Sequence, residues 1–326
     1  MSRQITGLKP TGHLQLGNYL GAIAPAVRAQ HQTDLLVFVA DLHALTVDHD
    51  PGQLSGLTRE VATLLLAAGL DPAHCTLFVQ SQVPEHVQLH YLLECAATYG
   101  EAHRMIQFKE KAKAQQQVRL SLLSYPVLMA SDILLHDIDE VPVGDDQSQH
   151  LELTRDVATR FNAKYGHTFV VPKMVHQVFA ARLMDLSDPS AKMGKTGSSG
   201  AGVLFLLDPP EALRRKVMRA TTDAGREVSY DRAARPGVAN LLDLLASLTD
   251  GSPQALADQF SSYAELKGAV ADAVIETVRP IQRRYAELTA DPAQVDAVLR
   301  EGASRARDRA SATVRRTTEA LGLLTS

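Results

Sequence analysis

The sequence predicts an α/β protein, a parallel sheet flanked by helices in the first part and helices alone in the last. Three observations carry this. Residues 34–40 (Asp-Leu-Leu-Val-Phe-Val-Ala) form a continuous apolar run, which suits a strand covered on both faces of a parallel sheet. A helical stripe of Leu57, Val61, Leu64, Leu65 and Ala68 separates that run from a second short apolar one, residues 75–79, the alternation of a doubly wound sheet. Beyond Val203 every periodic segment is helical. A chain of 326 residues is long enough for two domains.

The chain opens on residues 5–21, which read as a strand, a turn and a helix start. Pro10, Thr11 and Gly12 are turn residues. Gly17 and Asn18 then precede Tyr19, Leu20, Ile23 and Val27 at helical spacing. A helix start aims unpaired N–H groups forward and favours an anion. Gly12 and Gly17 let a ring or phosphate approach the backbone. This is neither a Walker A loop, since no Lys-Ser or Lys-Thr follows the second glycine, nor the dinucleotide fingerprint, whose glycine spacing differs. An ordinary tight turn is the competing reading.

Asp41, Leu42 and His43 follow the 34–40 strand at its carboxyl end, where ligands of open α/β sheets gather. Residues 84–135 read as helical. Lys109, Lys111 and Lys113 lie there in a polar stretch of the kind that ordinarily faces solvent. The apolar stretch 121–135 carries Asp132, a carboxylate that must be paired or must serve a ligand. Residues 141–147 (Val-Pro-Val-Gly-Asp-Asp-Gln) read as a strand ending in a glycine turn with two acids, followed by a helix over 147–165. Those acids suit a helix's first turn, a ribose hydroxyl or a metal–phosphate. Residues 169–171 read as a last short strand. Residues 188–202 hold Pro189 and four glycines around Lys192 and Lys195, a loop able to close on a polyphosphate or a plain surface linker. Three helices are expected afterwards, at 210–219, along the stripe Leu266–Leu288 with Pro280 as its kink, and at 295–321. The last bears Arg300, Arg305, Arg307, Arg309, Arg315 and Arg316, which suit nucleic-acid phosphates or, with acids interspersed, a solvated face.

Composition bounds the function. Hydrophobic residues make up 45% and charged residues 21%, ordinary for a globular protein. No apolar run spans a bilayer and no leader is evident. Two cysteines without a Cys-x-x-Cys pair argue against a disulfide frame or thiolate zinc site and for a cytoplasmic location. A net charge of −4 argues against wholesale coating of nucleic acid while allowing a local basic surface.

Taken together, these stretches resemble the bacterial-type tryptophanyl-tRNA synthetases, a family of class I aminoacyl-tRNA synthetases. Residues 10–18 are similar to the family's first signature and residues 192–196 (Lys-Met-Gly-Lys-Thr) to its second, usually Lys-Met-Ser-Lys-Ser. The blocks 17–22, 41–46, 107–111, 125–135 and 141–147 resemble the tryptophan branch in order along almost the whole chain.

The resemblance implies a Rossmann-like catalytic domain over residues 1–185 with a helical insertion at about 84–135. It implies a second part over 186–326, comprising the signature loop and a helical anticodon-binding domain whose last helix packs back. It implies a homodimer, with L-tryptophan, ATP carrying Mg2+, and tRNA(Trp) as partners and no membrane. Tryptophan's carboxylate would attack the α-phosphate of ATP, and the 3′ end of the tRNA would then take the tryptophanyl group. Such a step needs alignment and positive charge on the departing pyrophosphate. Lys111, Lys192 and Lys195 are implied as that charge. Lys9, Pro10, Thr11, Gly17, Asn18, Gly144, Asp145, Asp146, Leu183, Met193, Gly194 and Thr196 are implied to complete the ATP site. Asp132 is implied as acceptor of the indole N–H, with Tyr125, Met129, His43, Gln147, Val141, Val143, Gly7 and Ile5 around the amino acid. A buried acceptor left unpaired would penalise a side chain lacking that donor.

Four positions depart from the family pattern. Gln15 stands for the usual Thr or His, Lys9 for a frequent Gln, and Gly194 and Thr196 for the serines of the second signature. Retained activity is expected, since both lysines remain, with Gly194 loosening the loop. The altered signature also motivates an alternative, a catalytically inactive relative that binds tRNA or senses tryptophan. A tyrosine-specific relative is disfavoured by blocks 126–135 and 141–147.

Overall fold

The computed structural model describes residues 1–113, 117–144, 147–176, 183–194, 200–225 and 227–324, with only the backbone of Lys111 and His176. Five strands, β1 (Arg3–Leu8), β2 (Asp34–Val39), β3 (Cys75–Val79), β4 (Glu140–Val143) and β5 (Lys173–His176), form one parallel sheet in the order β3-β2-β1-β4-β5. The strand order reverses between β1 and β4. These two pair at Gln4 with Glu140, and Gln4 Nε2 also donates to Glu140 Oε2 at 3.0 Å. The carboxyl ends beyond that pair flank the switch-point crevice where open α/β sheets bind ligands.

The apolar runs alternate across the sheet. Leu35, Val37 and Val39 of β2 enter one core, while Leu36 and Phe38 enter the other. Both faces are therefore covered, the reason these strands read as unbroken apolar runs rather than as alternations. On the first face lie α1 (Leu16–Asn18), a π-helical turn (Tyr19–Ile23), α2 (Ala24–Ala29) and, after α3 (Asp41–Ala44), α4 (Pro51–Ala67). On the second lie α5 (Glu85–Glu94), α6 (Tyr99–Arg104), α7 (Ile106–Lys113), α8 (Leu120–Leu134) and α9 (Ser148–Tyr165). The remaining helices are α10 (Pro210–Met218), α11 (Pro236–Thr249), α12 (Pro253–Ala257), α13 (Tyr263–Ala290) and α14 (Pro292–Ala320). The first core runs without interruption from Val37 and Leu77 to Leu242, Val274 and Leu299 of the helical region.

Helix α14 returns to the sheet and packs on β3. Ala303, Ala306 and Ala310 lie in the second core, and at Gly302 an added Cβ would fall 1.8 Å from the carbonyl oxygen of Leu77. Its arginines bind the protein itself. Arg309 pairs with Asp34 at 3.0 Å, Arg305 donates to the Pro72 carbonyl at 3.0 Å, and Arg316 donates to the Thr168 carbonyl at 2.8 Å and pairs with Asp137. For these three, the expectation of phosphate binding or a solvated face gives way to a clamp on the amino-terminal ends of the strands.

One further expectation is corrected. Residues 169–171 form no strand; the fifth strand is Lys173–His176. Phe169 is fully buried against Phe161, and its N–H and carbonyl, with the N–H of Thr168, bond the Asn162 side chain. That amide takes the place of a neighbouring strand. Helix α11, rich in buried leucines, was not anticipated. Helix α13 runs through Pro280 as one helix.

Candidate active site

The first signature leaves β1 through a partly exposed turn, with Pro10 buried, and enters α1. Gln15 stands before α1 in an extended conformation, with φ −115° and ψ 167°. Its Oε1 accepts from the Gly17 N–H, and its own N–H donates to Asn18 Oδ1 at 3.1 Å, a reciprocal cap. A Cβ at position 17 would meet Gln15 Oε1 at 2.8 Å, so any larger residue there would make the capping side chain shift. The π-helical turn that follows is of a kind frequent at functional sites.

The second signature grows from a small antiparallel pairing of Met184 with Lys192. Met193 N–H donates to Leu183 at 3.0 Å and Asp185 N–H to Ala191 at 2.9 Å. Asn240 of α11 brackets Met184, accepting from its N–H and donating to its carbonyl, both at 2.9 Å. Met193 is buried in the first core, which anchors the segment beside exposed Lys192. Gln15 joins the two signatures directly. Its Nε2 donates to the Met193 carbonyl at 3.2 Å across 178 residues of chain, and Leu16 N–H donates to Leu204 at 2.8 Å.

Between them lies an open cleft of about 390 Å³, lined by Gly7, Lys9, Thr11, Asn18, Lys192 and Gly194 among others. Two lysines and no carboxylate occur among its described lining residues, a composition that suits phosphates. A larger groove of about 640 Å³ between α10 and α13, lined by Arg214, Arg215, Arg279 and three acids, contains no signature residue.

Asp132 sits on α8, buried at 2% exposure. Its Oδ1 accepts from Gln80 Nε2 and from His86 Nδ1, each at 2.7 Å, and its Oδ2 bonds His43 Nε2 at 2.8 Å. Burial alone would raise its pKa; hydrogen bonds from His43 and His86 outweigh burial and hold the carboxyl well below the usual range. Of the two fates open to Asp132 in the sequence, pairing is therefore observed. Tyr125, whose hydroxyl donates to Gln107 Oε1 at 3.2 Å and lies 2.6 Å from His150 Nε2, faces the His43 ring at 6.4 Å. Burial pushes the Tyr125 phenol up, so it stays protonated. Ile5, Val141 and Val143 are buried in the same core, with Met129 against it.

Among residues singled out from the sequence, Lys9, Thr11, Asn18, Lys192, Met193, Gly194 and Gly7 meet at the cleft. Pro10 is buried beside it in the chain, and Leu183 serves through its carbonyl. Gly144 turns the chain after β4, accepting from Gln147 N–H at 2.9 Å. Asp145, Asp146, Lys195 and Thr196 lie outside the described residues, as does the side chain of Lys111. Gly7 has a steric reason to be glycine, since a Cβ would come 2.5 Å from the Phe38 ring. Sequence reading missed Gln80, His86, His136 and Asn240; the available signal was a polar residue inside or beside an apolar stretch.

A cleft at the carboxyl end of β1 with a lysine-bearing second wall belongs to a known class of enzyme. Residues 2–279 match the profile of tRNA synthetases class I (W and Y), and the chain belongs to that family. Within it, the similarity falls on the tryptophan side. The chain is 58% identical to tryptophan–tRNA ligase 1 of Streptomyces avermitilis, with 99% of each chain covered. Its fold superposes on tryptophanyl-tRNA synthetase from Mycoplasma pneumoniae with a TM-score of 0.89, at 38% identity, covering 99% of this chain and 98% of that one. The synthetase from Campylobacter jejuni, complexed with ADP and tryptophan, gives a TM-score of 0.84 at 30% identity, covering 98% and 100%. No described helix is long and apolar enough to cross a membrane.

Proposed function

We propose that the chain joins tryptophan to its tRNA in two steps, with ATP in the 390 Å³ cleft and the indole beside Asp132. Its activity is that of a tryptophan–tRNA ligase. Lys192, Lys9 and the backbone near Asn18 receive the triphosphate; Lys195 and Lys111 add charge as pyrophosphate leaves. Gly144, Asp145 and Asp146 hold adenosine. Mg2+ arrives on ATP, the described lining of the cleft offering it no carboxylate. The tryptophan carboxylate attacks the α-phosphate, the α-phosphate–oxygen bond to pyrophosphate breaks, and tryptophanyl-adenylate remains. A terminal ribose hydroxyl of tRNA(Trp) then displaces AMP.

Ile5, Val141, Val143 and Met129 surround the ring, with Gly7, His43, Tyr125 and Gln147 at its edges, and Asp132 Oδ2 accepts the indole N–H. Since Asp132 already has three donors, losing this bond costs about 1.5–3 kcal/mol, not the penalty of an isolated anion. Residues 1–185 form the catalytic part and 186–326 carry the second signature and the anticodon-reading helices, in a cytoplasmic homodimer. Exposed Val87, Tyr91, Tyr99 and Ile106 on α5 to α7 support a partner surface there.

The observation that carries the catalytic reading is the Gln15–Met193 bond, which holds both signatures on one cleft. Tryptophan-dependent ATP–pyrophosphate exchange tests it. Lys192→Ala is expected to lower exchange about a hundredfold, and a rate within twofold of the parent would remove Lys192 from the reaction.

A further inference from the structure

We infer that Gln80, His86 and His136 are positioning residues for tryptophan selection, aiming one lone pair of Asp132 at the substrate. This rests on the proposal that Asp132 accepts the indole N–H. A carboxylate offers about four acceptor directions. Oδ1 has two donors, Gln80 Nε2 and His86 Nδ1, and is filled. Oδ2 has one, His43 Nε2, so a single direction remains on a defined atom.

The supporting groups bear local costs that a purely structural contact does not need. Gln80 and His136 are both fully buried. Gln80 lies on the short turn Gln80–Gln82 that ends β3, and its amide must turn its nitrogen to the anion. Its Oε1 then has no hydrogen-bond partner among the described residues, nor does His136 Nδ1. Apolar residues of similar size would avoid both losses.

The hydrogens can be placed along the chain of contacts. His86 gives its Nδ1 hydrogen to Asp132, and its Nε2 lies 3.3 Å from His136 Nε2. Burial holds His136 neutral. A neutral His136 with its hydrogen on Nε2 donates to His86 Nε2 and leaves only an acceptor unpaired; the other tautomer would leave a buried donor unpaired. The sequence His136 to His86 to Asp132 thus polarises one bond after another, strengthening the last. The rings are held in place. Phe78 lies 5.8 Å from His86 at 30° and edge-on to His136 at 5.6 Å, Phe38 lies 6.0 Å from His86, and Ser131 Oγ donates to the His86 carbonyl at 2.7 Å.

The test compares kcat/KM in pyrophosphate exchange for tryptophan and for L-3-(benzothiophen-3-yl)alanine, in which sulfur replaces the indole N–H. The ratio of the two does not depend on how much of a variant is folded. Gln80→Met and His136→Gln are each expected to lower the tryptophan preference about fivefold, through KM for tryptophan rather than kcat, the scale of one weakened hydrogen bond. An unchanged ratio in either variant, with both substrates affected alike, overturns the assignment for that residue. Asp132→Asn separates the two levels of the argument. If it leaves the ratio unchanged, the reading of Asp132 itself fails. If it collapses the ratio while Gln80→Met and His136→Gln do not, only the positioning role fails.

Discussion

Replacing Gln15 by methionine removes one side chain's two polar contacts at almost constant volume. Gln15 is 5% exposed and bridges the signatures, accepting from Gly17 N–H and donating to the Met193 carbonyl at 3.2 Å. Losing an N-terminal cap costs about 1 kcal/mol. Losing the bond to Met193 costs about another 1 kcal/mol. Together, about 2 kcal/mol falls on the arrangement of two segments around the cleft, or about thirtyfold in its population. In tryptophan-dependent exchange, KM for ATP should rise about ten- to thirtyfold while KM for tryptophan stays within about twofold. Gln15→Glu keeps an acceptor for Gly17 but sets a carboxylate oxygen against the Met193 carbonyl and an anion in the lining of the cleft, so a rise in KM for ATP at least as large as in Gln15→Met is expected. Parental ATP kinetics in Gln15→Met, with an unaltered melting temperature, would refute the idea that this residue joins the signatures.

Other expectations follow from the same geometry. Gly302→Ala should lower stability in urea by about 2 kcal/mol, because its Cβ would meet the Leu77 backbone. Gly268→Ala on α13, where a Cβ meets nothing within 4 Å, should instead raise it by about 0.5–1 kcal/mol; equal effects would contradict the packing of α14 on β3. A thiol reagent at pH 8 should modify exposed Cys95 quickly and spare Cys75 until denaturant is added, since burial, then Asp71, push the Cys75 thiol up to about 11. Burial holds His136 neutral below its ordinary value of 6.5, so below that pH the unfolded chain binds a proton the native chain does not. Stability should therefore fall with pH below about 6.5, by up to about 1.4 kcal/mol per unit from this group. Urea midpoints at pH 7.5 and 5.5 should show a smaller loss for His136→Asn than for the parent; identical losses would exclude His136 as a source.

Local pattern made much of this protein legible. The 75–79 strand matches β3, and 34–40 falls within one residue of β2, because a strand covered on both faces must be apolar throughout. Helices α4, α9 and α10 follow their apolar stripes within about two residues, as boundaries read from periodicity do. The fifth strand was misplaced because burial of Phe169 and the reach of Asn162 outweighed a short apolar run. The arginines of α14 were misread because charge along a helix does not say whether Asp34 or Asp137 waits across the interface.

By itself, the sequence determined the alternation of strands and helices, the two signature segments and the isolated acid of α8, each written in neighbouring residues. Tertiary structure alone decided that Gln15 would reach Met193, that Gly302 would press on Leu77, and which donors would surround Asp132. Those donors lie 46, 52 and 89 residues away in the chain. Periodicity reports the face a side chain occupies; the partner on that face is chosen by packing, which leaves no mark among adjacent residues.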